Sequence, residues 1–306
     1  MPQCTLTVDV EDWFHILDTP AAPSLEAWDC LESCVERGMD TVLEALDRHH
    51  VRATFFWLGW VAQRHQALLR RCVAAGHEIA SHGYAHVLAF RVGAQAFGQD
   101  LLRAKGILED LSGLPVRGYR APGFGITPDT PWAFELIRQS GHEYDCSIFP
   151  APRAHGGWPA LPPTPFLIHT DGQSLVELPA STVKWLGRRV APFGGGYFRL
   201  SPSWLIHLAA RSLARQGQPL MIYLHPREFV PDHPRLPLST SRRFKSYVNL
   251  RSTLPKLEAL CRTCRFATAW ELCQNLRQES LPAIDATDSP DYQIGCANAE
   301  AAEEEP

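Results

Sequence analysis

Positive charge is the first thing in short supply. Lys and Arg number 29 against 33 Asp and Glu, a formal net charge of −4, so no basic surface is available to neutralise phosphates and nucleic acid is not expected as a partner. Long apolar runs are missing too, and none reaches the roughly 18 uninterrupted apolar residues of a membrane span. The opening MPQCTLTVDV has neither the basic stretch nor the apolar region of a signal peptide, which predicts a soluble, cytoplasmic chain. Nine cysteines, an odd number scattered along 306 residues, predict free thiols and no disulfide framework. The CRTC pair, Cys261 and Cys264, with Cys273 beyond it, is followed by no second CxxC and no suitable histidine. That pair lies in a helical-looking segment, which argues against a structural zinc knuckle.

What is present is an apolar content of 45%, enough for the core of one barrel-sized domain. Strand-like runs alternate with amphipathic helical patterns. CTLTVDV precedes the helical MDTVLEALDRHH, and RATFFWLG is apolar nearly throughout, as a strand buried on both faces would be. A helix over WVAQRHQALLRRCVAAG ends at Gly76, and HEIAS is a short strand. Further helices are predicted over QAFGQDLLRAKGILEDLSG, over TPDTPWAFELIRQSG with Thr127 as its cap and Pro128 first, and over SPSWLIHLAARSLARQG with its own Ser cap. VRGYRAP, HEYDCSIFP, LVELPAS and PLMIYLHP complete the strands, with a Pro/Gly-rich loop from Ala151 to Pro165, before a last strand and helix in RFATAWELCQNLRQ. About seven β/α units predict an α/β fold with a parallel sheet, an incomplete (β/α) barrel, with an open doubly wound sheet as the alternative. Residues 1–280 would form this one domain, and the acidic tail 281–306 is expected to be disordered.

SHGYAH carries the clearest chemistry. His82 and His86 are four apart, so on a helical turn both imidazoles face one way and could hold a divalent metal. A carboxylate must complete the set, and Asp9, Glu11 and Asp12 follow the first strand. Arg120, Asp145 and His225 fall after later strands, at the C-terminal ends where such barrels build their sites.

In this order TVDVED, SHGYAH, YRAPGFG, YDCSIFP and IYLHP resemble the five motifs of the NodB-type polysaccharide deacetylases, across residues 4 to 273. DVEDWFH and LHPREF are similar to the branch found with exosortase and exopolysaccharide loci. The resemblance implies a metal-dependent hydrolase that removes acetyl groups from N-acetylated amino sugars of an exopolysaccharide or its precursor. O-acetyl esterase and non-catalytic glycan binding or assembly are the alternatives. It implies Asp9 as general base, His225 as general acid, Arg120 as the partner that keeps Asp9 ionised, and Asp145 as a group orienting His225 or capping a turn. One divalent ion, zinc or alternatively cobalt, nickel or manganese, would sit on His82, His86 and a third ligand. The family form has two adjacent aspartates where this chain reads Asp9, Val10, Glu11, Asp12. Glu11 is the third ligand if the strand persists, and Asp12 if it bulges. Trp13, Pro122, Phe124 and Tyr197 would line a sugar groove, with APFGGGYFR as one wall. Expected partners are an acetylated oligo- or polysaccharide and exopolysaccharide assembly proteins.

Overall fold

The computed structural model describes residues 3–153, 156–170, 173–276 and 281–285. In chain order its elements are β1 (Gln3–Val10), α1 (Val35–Arg48), β2 (Thr54–Trp57), α2 (Gly59–Arg64), α3 (Gln66–Ala74), β3 (Glu78–Ser81), α4 (Ala89–Ser112), β4 (Gly118–Tyr119), α5 (Trp132–Gln139), β5 (Tyr144–Asp145), β6 (Phe166–Thr170) and β7 (Gln173–Glu177). There follow β8 (Val183–Trp185), β9 (Arg188–Val190), α6 (Gly195–Leu200), α7 (Ser203–Arg215), β10 (Leu220–Leu224), α8 (Thr240–Tyr247), α9 (Thr253–Cys261), β11 (Arg265–Phe266), α10 (Ala269–Leu276) and β12 (Ala283–Asp285).

The main sheet runs β10-β1-β2-β3-β4-β5-β7-β6-β12, with β11 also beside β1. From β10 to β7 every neighbouring pair is parallel, which is the expected incomplete barrel. β6 departs from it, folding antiparallel onto β7 as a hairpin, and β12 then pairs with β6. The expected disorder of the tail therefore does not hold for Ala283–Asp285, while residues 286–306 lie outside the described ones. The ring stays unzipped between β7 and β10. There the Ser181 hydroxyl takes the Met221 N–H at 2.8 Å, and Gly194 makes a lone bridge to Tyr223.

Alternation along β1 sorts the two sides of the sheet. Cys4, Leu6, Val8 and Val10 join the core under the helices, while Thr5, Thr7 and Asp9 face the barrel interior. β2 is buried at all four positions, as its apolar run predicted.

Local expectations fail where side chains or turns intervene. The helix expected across residues 60–76 is broken at His65, whose ring meets Ser33 and Glu36. Thr127 is no cap: its N–H bonds to the Thr130 hydroxyl in a turn, and α5 starts five residues later behind Pro131. Ser201 does not cap α7 either, since Pro202 holds the N-cap position and no side-chain bond is made there. Cys30, Cys34, Cys72, Cys146, Cys261 and Cys264 are free thiols, and Cys296 lies outside the described residues.

Candidate active site

β1 delivers Asp9 to the barrel interior, and the chain turns at once, Glu11 N–H bonding the Asp9 carbonyl at 2.9 Å. Arg120, fully buried, donates to Asp9 Oδ1 at 2.6 Å and to Thr7 Oγ1 at 2.8 Å. It lies 4.3 Å from the Phe56 ring. The expected Asp9–Arg120 pair is thus formed, and its aromatic surroundings strengthen each interaction by excluding water.

SHGYAH is not helical. Gly83 and His86 both take left-handed backbone angles, φ 75° and 54°, and the curled loop turns both rings inward. Asp100 on α4 holds the curl by accepting the N–H groups of Tyr84 and Ala85 at 2.7 and 3.0 Å. His82 and His86 bring their Nε2 atoms to 3.1 and 2.9 Å from one oxygen of Glu11. Burial opposes ionisation of Glu11, but His86, His225 and the hydrogen bonds from both ring nitrogens outweigh it and hold the carboxyl well below its usual range.

This trio fits a divalent metal. His82 Nδ1 lies 2.7 Å from the Arg120 carbonyl, which can only accept, so Nδ1 carries a proton and Nε2 is the nitrogen left to face a metal. Two lone-pair donors at 3.1 Å are favourable only with a cation or a second ring proton. Two buried imidazoles and a carboxylate suit zinc and its transition-metal neighbours better than calcium or magnesium.

Asp12 stands apart. Its Oδ1 accepts the N–H groups of Trp13 at 2.8 Å and Cys34 at 3.1 Å, tying the first loop to the start of α1. The strand neither persists nor needs to bulge: it ends at Val10, and after the turn Glu11, not Asp12, meets the two histidines. Trp13 is only 7% exposed, with its indole N–H on the Glu32 carbonyl, so it faces the core and not a groove. Pro122 and Phe124 are also buried, Phe124 meeting Phe149 and Tyr223 edge-on. Of the four expected groove residues Tyr197 alone is open, at 58% exposure.

His225 follows β10 and faces the two carboxylates, its Nε2 3.9 Å from Asp9 and 3.8 Å from Glu11. Asp145 does not orient it. That residue bonds Ser147 at 2.6 Å and shares the interior with Glu177, whose carboxyl burial and the Asp145 charge push well above its usual range. Glu228 takes the orienting place, with Oε1 2.7 Å from His225 Nδ1 and Oε2 accepting from Arg199, whose guanidinium also grips the carbonyls of Lys245, Ser246 and Val248. Burial works against the Glu228 charge, but Arg199 and His225 hold its carboxyl down at about 2. Burial likewise disfavours protonated His225, yet Glu11 and Glu228 raise its pKa. The signal for Glu228 was its place three residues after His225 in LHPREF. For Arg199, in the middle of APFGGGYFR, no local pattern pointed to a role.

Residues 28–144 match the family model for polysaccharide deacetylase, and residues 146–274 match a domain of unknown function. Over residues 28–144 the chain is thus similar to the polysaccharide deacetylase family. A peptidoglycan deacetylase of Helicobacter pylori is 30% identical over 113 residues, covering 37% of this chain and 38% of that protein. A chitooligosaccharide deacetylase of Sinorhizobium fredii is 38% identical over 89 residues, 29% of this chain and 41% of that protein. The chain spans well under half the length of these curated relatives. A solved structure from Mycobacterium smegmatis, provisionally named a polysaccharide deacetylase, overlays with a TM-score of 0.64 at 21% identity over 92% of each chain, a likeness of fold. The two matched models meet inside β5, in the middle of one continuous sheet. The domain of unknown function is therefore the second half of the barrel, which contributes Glu228, Arg199 and His225.

Proposed function

We propose that this chain is a metal-dependent hydrolase that removes the acetyl group from an N-acetylated amino sugar of a glycan. The observation that carries the reading is the meeting of two sets in one buried space: Glu11, His82 and His86 as a ligand trio, and Asp9 with His225 beside it. A divalent ion on the trio would supply Lewis-acid polarisation of the acetyl carbonyl and a lowered pKa for water. Asp9, paired with Arg120, takes the proton of the attacking water. His225, its Nδ1 fixed by Glu228, gives a proton from Nε2 to the departing nitrogen. An amine leaves poorly without that proton, so a histidine built to hold one favours an amide over an acetyl ester.

The likeness of DVEDWFH and LHPREF to the exosortase-linked branch supports, as part of this proposal, an exopolysaccharide or its precursor as substrate, with assembly proteins of that polymer as partners. Metal analysis of the purified chain, joined to acetate release from N-acetylated and O-acetylated oligosaccharides, tests the reading. The expected result is one ion per chain and faster release from the N-acetylated set. No bound ion after zinc reconstitution, or release from O-acetyl groups alone, would overturn it.

A further inference from the structure

Arg153 lies in the Pro/Gly-rich loop after β5, and the mechanism above does not use it. Its guanidinium carbon stands 5.2 Å from the Phe124 ring centroid and 4.8 Å from that of Phe149. Phe124 is also 5.3 Å from the Arg120 guanidinium and 5.0 Å from the Tyr223 ring, and Tyr223 meets His225 edge-on at 6.4 Å. Phe124 and the Arg120 guanidinium therefore lie between Arg153 and Asp9, and the two rings of Phe124 and Tyr223 between Arg153 and His225.

The loop that carries it is pinned. Arg189 on β9 donates to the carbonyls of Pro150 and Pro159, the Trp158 N–H bonds Phe149 at 2.9 Å, and the Trp158 side chain is buried. Arg153 itself forms no ion pair among the described residues, and its Nη1 is shut away from solvent with no acceptor. Burial lowers its pKa, with the Asp9 charge among those opposing the shift. A buried guanidinium edge without an acceptor is costly, and a cation between two phenyl rings has traded hydration for a site where an anion is held strongly.

We infer that Arg153 is the recognition group for a carboxylate on the glycan, so that the substrate carries a uronic acid near the acetylated amino sugar. A single guanidinium balances a single negative charge in a planar fork, which suits a carboxylate. A phosphate carries more charge than one guanidinium balances. The inference deepens the deacetylase reading and rests on it.

The probe is the hyaluronan tetrasaccharide, which alternates N-acetylglucosamine with a uronate, set against the same tetrasaccharide with its carboxylates reduced to alcohols. Dissociation constants come from calorimetry on the full metal-loaded chain carrying Asp9→Asn to stop turnover, and kcat/KM from acetate release by the unmodified chain. The uronate form should bind about tenfold or more tightly than the reduced form, the equivalent of roughly 1.4 kcal/mol. Arg153→Met should bring that ratio close to one, and Arg153→Lys should leave part of it, since charge remains but the fork is gone. Equal affinity for the two forms in the parent overturns the inference without recourse to a variant. So does an Arg153→Met ratio that stays at the parent value, or tighter Arg153-dependent binding of UDP-N-acetylglucosamine than of the uronate. Binding with the expected preference but no acetate release would instead count against the deacetylase reading, so the two failures are distinguishable.

Discussion

Glu11→Ala should abolish stoichiometric zinc binding, because it removes the one carboxylate that both ring nitrogens face. Asp12→Ala should keep the metal and lower stability by about 1–2 kcal/mol, the usual cost of losing a side-chain acceptor at the start of a helix. Metal content and thermal melting read the two variants apart. Glu228→Gln keeps the shape of the His225 contact and removes its charge, so kcat on an N-acetyl substrate should fall about tenfold or more with KM little changed. An activated acetyl ester should lose much less, since a phenolate departs without an acid. Equal losses would mean that Glu228 supports the fold and not the acid. Asp9, Arg120, His82, His86 and His225 could be found in the sequence because each ends a strand, and a barrel gathers strand ends at one face. Glu228 and Arg199 could not be assigned in this way. Their meeting depends on how the chain past β10 folds back over α6, and that path has no period to read.

At the level of elements, the curl of residues 82–86 is an imposed shape. Asp100 supplies the acceptors that hold it, so Asp100→Ala should weaken zinc binding by about ten- to a hundredfold although no ligand is touched. A competition titration with a chromophoric chelator measures this, and an unchanged affinity would mean that the left-handed residues hold the curl alone. The helical spacing of the two histidines was a correct reading of where the rings go and a mistaken one of how. Long amphipathic helices such as α1 and α7 were legible because one face repeats every three or four residues. The β6–β7 and β8–β9 hairpins were not, since their strands are at most five residues long, too short to show an alternation.

For the whole molecule, acid should be the damaging condition. Burial holds His142 at about 3 and His77 at about 4, against an unfolded value of roughly 6.5. As pH falls through that window the unfolded chain takes up protons that the native chain refuses, so stability declines from about pH 6.5 downward and levels off below the folded values. His142→Asn should flatten the slope of melting temperature against pH between those limits. A slope as steep as the parent's would place the acid sensitivity elsewhere.

β1 sits between β2 and β10, so a strand pairs with one more than 200 residues later, Thr7 opposite Tyr223. Asp9 cannot face His225 until all the residues between them have been synthesised. Such distant pairing closes a long loop and delays folding. During synthesis the nascent chain could collect the pieces of a metal site well before it owned a proton donor, and any ion captured then would be held by a body unable to complete the reaction.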